Sequence, residues 1–165
     1  MDNRYNNFWR RIFAATIDEI ILIPLSLLIG YIDVNTIYTF VVTSFTYSLL
    51  YSFYFIYLHK KYGKTIGKKL LSIEVMSADE THRISFLQSI KRDGILFAMD
   101  NILIMYFSII AIKENVIETS LHNYTTTVSI CSIGWILIEI LTMIFNKKRR
   151  ALNDYLGNTV VIKTS

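Results

Sequence analysis

Cysteine, proline and glycine are scarce in this chain. Of 165 residues, one is cysteine, one is proline and six are glycine. Cys131 alone rules out an intrachain disulfide, and it sits inside an apolar run. The histidines His59, His82 and His122 are scattered, so no metal-ligand spacing exists and no metal or other cofactor is expected. No Ser, Cys or His stands in a nucleophile arrangement, and no enzyme is expected. The run Gly63-Lys64-Thr65-Ile66-Gly67-Lys68-Lys69 lacks what a phosphate loop needs. Its glycines are too close, no Ser or Thr follows Lys68, and no strand precedes it. It reads instead as a tight glycine turn whose lysines face anionic lipid head groups. The first apolar stretch lacks a small-x-small cleavage site and is followed by further apolar runs, so it is read as a span rather than a signal peptide. No internal repeat or low-complexity tract is present.

What is there is apolar. Hydrophobic residues make up 53% of the chain and aromatics 14%, gathered in blocks, which points to a polytopic membrane protein. Four segments stand out, at 12–32, 37–58, 94–112 and 124–145. Residues 37–58 carry no charge and are rich in Tyr, Phe, Ser and Thr, as in helices that pack on others or line a polar path. The net charge of +4 is no sign of nucleic acid, because its placement follows the membrane. Arg4, Arg10 and Arg11, the segment 59–93 and the tail from Lys147 are basic, whereas the turn between the first two spans has no Lys or Arg. Four spans with both termini in the cytoplasm follow from that asymmetry. The expected fold is an all-α membrane protein, a single domain over residues 1–165, with 59–93 as a cytoplasmic loop.

That loop holds more than a linker. Residues 70–76 partly alternate, suggesting a short strand. Ser85 with Gln88 is a capping box that opens a helix. A helix from Ser85 to Ile112 spans about 42 Å at 1.5 Å per residue, so it either begins in the cytoplasm or bends near Gly94. Beyond the last span, Ala151, Leu152, Tyr155 and Leu156 form an amphipathic turn ending at Gly157, and 159–163 reads as a second strand. The two strands lie on one side of the membrane and can satisfy each other's backbone groups. The expectation is a small β-ribbon cap that brings Asp154 to a basic partner, Arg11, Lys68 or Arg92.

The first span opens on Arg10-Arg11-Ile12-Phe13-Ala14-Ala15-Thr16-Ile17-Asp18-Glu19. Arg11, Ala14, Ala15, Asp18 and Leu22 share one helical face. A carboxylate in a span costs roughly 2.5–3.5 kcal/mol on insertion scales, so Asp18 has a partner or a purpose. The structural reading pairs such an acid with Arg11, Arg92 or a backbone donor. Three motifs then recur in order: Phe8-Trp9-Arg10-Arg11-x-x-Ala14-x-x-Ile17-Asp18, Gly63-x-Thr65-x-Gly67-Lys68-Lys69-Leu70-Leu71, and Arg149-Arg150-Ala151-Leu152-Asn153-Asp154 with Thr159-Val160-Val161. Together they resemble the RDD family of small bacterial inner-membrane proteins, named for an arginine and two aspartates. The resemblance implies Arg11, Asp18 and Asp154 as those three, with Gly63, Gly67, Lys68 and Thr159 in the supporting motifs. Asn153 stands where the family often has a histidine. Transport, including cation/proton exchange, has been suggested for some members.

Counting inward from the cytoplasmic ends, Asp18, Asp100 and Glu139 reach a similar depth on three spans, with Ser52 of the second span level with them. These three acids are the candidate cation or proton site, supported by Asn101 and by Arg11 and Arg92 at the rim. Glu19 is a further acid in the first span. Pro24 frees the carbonyl of Ile20, a cation ligand or simply a kink. Two functions are carried forward: transport of a small cation, with or without proton coupling, and a non-catalytic accessory, assembly or scaffold role. The expected partners are the lipid bilayer with anionic lipids at the basic loop, a small cation or proton, and a second copy or another membrane protein.

Overall fold

The computed structural model describes residues 3–114 and 116–164; the remaining positions of the single expected domain lie outside the described residues. Among the described residues, four helices are long and apolar enough to cross a membrane: α1 (Phe8–Gly30), α2 (Ile37–Tyr62), α4 (Phe86–Glu114) and α5 (Ile117–Phe145). Between and after them lie α3 (Ile66–Leu70), β1 (Ile73–Ser77), α6 (Leu152–Leu156) and β2 (Thr159–Lys163). The fold is thus the expected four-span helical membrane architecture with a two-stranded sheet.

Local chemistry sets the ends of these elements. Thr36 and Thr39 form a reciprocal capping box at the start of α2. Its end is Gly63, at φ 68°, a left-handed position that glycine adopts without steric cost. The Gly63 amide donates to the His59 carbonyl, and the Gly63 carbonyl accepts from Val75 at 2.7 Å, so the turn also anchors β1. Ser85 and Gln88 cap α4 reciprocally. The helix then runs unbroken through Gly94, so its first turns belong to the same rod as the apolar segment and carry Ser89, Arg92 and Asp93.

The strands pair antiparallel with Val75 opposite Val161 and Ile73 opposite Lys163. The first strand begins at Ile73 rather than Leu70, because Leu70 closes α3 and Leu71 caps it. The strand's buried residues alternate, with Ile73, Val75 and Ser77 inward. A dry core of Ile73, Val75, Ile84 and Val161 packs on Ala14 of α1. The soluble-type core of this protein is therefore in the cap, while the long helices turn most of their apolar surface outward, as lipid-facing helices do. The side-chain amide of Asn7 donates to the Val161 carbonyl at 2.6 Å and ties the start of α1 to the ribbon.

Candidate functional site

Three linked polar assemblies sit where the cap meets the spans. The first is built on Asp18, which is 1% exposed. Its Oδ2 accepts from Thr65 Oγ1 at 2.5 Å, and its Oδ1 accepts from the Gly67 amide at 2.8 Å and from Tyr54 Oη at 2.7 Å. The backbone donor expected for this acid is thus Gly67. The contact requires glycine there: a Cβ at Gly67 would lie 2.2 Å from the Ala14 carbonyl oxygen. Small residues on both sides let α3 touch the backbone of α1. One face of α1 thus carries Ala14 for close approach and Asp18 for hydrogen bonding.

The second assembly is a clasp around Asp154, which is fully buried. Arg11 Nη2 donates to its Oδ2 at 2.6 Å, and Arg92 Nη1 donates to its Oδ1. The same carboxylate reaches back to the Ala151 amide at 2.8 Å, capping α6. Arg11 also donates to the Arg149 carbonyl at 2.8 Å, and Arg92 to Thr159 Oγ1 at 3.0 Å. Two of the three expected basic partners of Asp154 are therefore engaged together. Burial alone would raise the Asp154 carboxyl, but the two guanidiniums outweigh it and hold the group well below the usual carboxylate range. Asn153 lies beside the clasp with its buried Oδ1 unbonded among the described residues.

The third assembly was not visible in the sequence. His59 Nδ1 lies 2.6 Å from Asp93 Oδ2, and His59 Nε2 lies 2.5 Å from Lys68 Nζ. A protonated Lys68 can only donate, so in that state it donates to Nε2 and the Nδ1–H donates to Asp93. Asp93 Oδ1 lies 3.4 Å from Arg92 Nε, which joins this chain to the Asp154 clasp. His59 and Asp93 are on different helices, 34 residues apart, so no local spacing marks them. Lys68 corrects the reading of its loop: it turns inward onto His59 rather than toward lipid head groups. Lys64 pairs with Glu74 at 3.4 Å.

Burial, with the charge of Arg92 added, lowers the Lys68 ammonium from 10.5 to about 7, against the opposing pull of Asp93 and Asp18. The unfolded chain then holds a proton that the folded chain releases between these two values. By linkage, stability rises with pH across that window. Wild type compared with Lys68→Met should show a melting-temperature difference that moves in favour of wild type from pH 7 to 10. A flat difference would mean that Lys68 keeps its proton when folded.

Asp100 and Glu19 of the long helices have separate partners. Asp100 accepts from Tyr124 Oη of α5 at 2.8 Å. Asn101 donates to Ser48 Oγ at 3.3 Å and to the Phe97 carbonyl at 2.7 Å. Glu19 accepts a hydrogen bond from Tyr51 Oη. Glu139 lies within the electrostatic reach of Arg92 and Arg11, but its carboxylate makes no hydrogen bond or ion pair among the described residues. Ser52 is buried on α2. No hydrogen bond joins Asp18, Asp100 and Glu139 to one another among the described residues. Asp18, Glu19 and Asp100 are connected instead along α2, whose Ser44, Tyr47, Ser48, Tyr51 and Tyr54 recur at helical spacing. Tyr54 meets Asp18, Tyr51 meets Glu19, Tyr47 is within the fields of Glu19 and Asp100, and Ser44 contacts the phenol of Tyr124. From Tyr54 to Ser44 this stripe covers about 15 Å of helix.

Comparison with known proteins agrees with the motifs. The model of the RDD family matches residues 5–158. No curated protein and no solved structure matches the chain. The match takes in the Arg11, Asp18 and Asp154 motifs and all four long helices, and the protein accordingly belongs to the RDD family.

Proposed function

We propose that the protein is a transporter of a small cation, with or without proton coupling, and not an enzyme. The observation that carries this reading is the polar stripe of α2. It sets carboxylates of α1 and α4 against hydroxyl groups within helices of membrane-spanning length. Ionisable residues inside spans are expensive, and where they are retained they mark ion or proton paths. Asp18 and Asp154 serve this path indirectly: their hydrogen bonds fix the cap against the helix ends, so the stripe begins at a rigid wall. The basic residues near the helix ends support an orientation with the cap and both termini in the cytoplasm of a bacterial cell and the spans in its inner membrane. Anionic lipids at Lys60, Lys61 and Lys69 are the expected neighbours of that cap.

The test is reconstitution into liposomes with pH- and cation-reporting dyes. Asp100→Asn combined with Glu19→Gln should abolish cation-dependent pH change, at least about tenfold if each carboxylate supplies one charge-assisted contact to the ion. These two are chosen because neither contributes to the cap. A second reading, a non-catalytic accessory or scaffold protein, is favoured by α5, of which only 6% of the most apolar stretch is buried by the chain itself. Absence of flux in wild type would leave that reading standing.

A further inference from the structure

The geometry points to the groove between α1 and α2 as a binding site for an amphiphilic organic cation arriving from the lipid, a quaternary or tertiary ammonium with a short apolar tail. This inference rests on the transport reading and names its substrate class.

A cavity of about 190 Å³ lies there, its walls including Thr16, Glu19, Ile20, Ile23, Ser26 and Tyr47. The α1 residues among these follow helical spacing and form one stripe. Glu19 is exposed and stands midway along α1, eleven residues from each end. In a bilayer an ionised carboxylate there is costly unless a cation offsets its charge, and its hydrogen-bond donor, Tyr51, is neutral. A second copy of the chain has none to offer at this depth. Residues 12–30, 37–58, 94–112 and 117–145 contain no Lys or Arg.

A bare inorganic ion is poorly served, because it needs a shell of oxygens in place of its water. Thr16 and Ser26 donate to carbonyls of their own helix, those of Ile12 and Ile23, and the rest of the α1 wall is largely aliphatic. An organic ammonium suits the same walls. The rings of Tyr47 and Tyr51 lie beside Glu19 with centroids 6.0 Å apart and planes tilted by 38°, and ring faces attract such cations. The aliphatic residues take the tail.

The experiment titrates phenyltrimethylammonium into the protein in phosphatidylcholine nanodiscs by calorimetry, with empty nanodiscs subtracted. tert-Butylbenzene is the neutral isostere. Saturable binding of the cation and none of the isostere is expected. Glu19→Gln should weaken binding about tenfold, the loss of one charge contact. Tyr47→Leu should weaken it about threefold to tenfold through loss of a ring face, which keeps the test valid if Glu19→Gln folds poorly. Equal binding by Glu19→Gln and wild type, equal binding of the isostere, or displacement by sodium or potassium at matched concentration would overturn the site. Dye-loaded liposomes separate the two readings. Sodium or potassium flux without phenyltrimethylammonium binding overturns this site and leaves transport intact. Binding without movement of any cation overturns transport and upholds the site.

Discussion

Asp154→Leu should destabilise the protein by about 3–5 kcal/mol, because it leaves two buried guanidiniums without their shared anion. Arg11 and Arg92 are 9% and 5% exposed, and Asp154 is fully buried. The α6 turn also loses the bond from the Ala151 amide to the carboxylate. A thermal melt in detergent reads the loss. The triple variant Arg11→Met, Arg92→Met, Asp154→Leu should recover most of it, since the removed charges no longer need solvation. A triple variant as unstable as the single one would mean that α6 capping, not charge pairing, dominates. The pH dependence has a definite sign. The folded carboxyl is held below its unfolded value by Arg11 and Arg92 against the effect of burial. The stability it contributes is complete above about pH 4, the unfolded carboxylate range, and is lost as pH falls toward the folded value. Asp154→Asn should lack that acid-dependent loss.

This clasp was legible in outline from the sequence, and the reason is physical. Hydropathy blocks fix the spans, the Lys and Arg bias puts 59–93 with the termini, and two β-prone stretches on one side need each other's backbone groups. Asp154 then falls next to the basic rim. The partner of Asp18 was narrowed only to a set. Arg11 and Asp18 share a helical stripe, but seven residues separate them by about 10 Å, and Arg11 reaches away to Asp154. Asp18 is taken by Gly67, Thr65 and Tyr54, groups that arrive only when α3 folds under α1. The His59–Asp93 pair was illegible because neither residue has a neighbour in sequence that marks it. The inward turn of Lys68 was missed for a related reason. A lysine in a basic loop reads as a head-group contact unless a buried acceptor is known to wait for it. Within the spans, sequence placed the acids at a common depth, whereas the hydroxyl groups of α2 engage Asp18 and Glu19 and Tyr124 of α5 engages Asp100. The spacing on α2 was available, since Tyr47, Tyr51 and Tyr54 lie on one face, but tyrosine in a span reads first as packing.

The contact between α1 and α3 yields the second large effect. Gly67→Ala puts a Cβ 2.2 Å from the carbonyl oxygen and 3.0 Å from the carbonyl carbon of Ala14. Main chain cannot swing aside as a flexible side chain does, so α3 must lift. Overpacking of this kind costs about 1–3 kcal/mol, and the hydrogen bond from the Gly67 amide to the Asp18 carboxylate, worth about 1.5–3 kcal/mol, stretches with it. The expected result is a loss of about 3–5 kcal/mol in the same melt, with faster hydrogen exchange at the Val75 and Val161 amides as the ribbon loosens. Gly94→Ala is the control: its Cβ meets only the Ile90 methyl at 3.5 Å, and the substitution should be tolerated. Adding Ala14→Gly should not rescue Gly67→Ala, because the obstacle at position 14 is its carbonyl and not its methyl. Rescue by that second substitution would show that α3 rests on the Ala14 side chain, and that the cap is held to α1 by packing rather than by backbone contact with Asp18 as its lock.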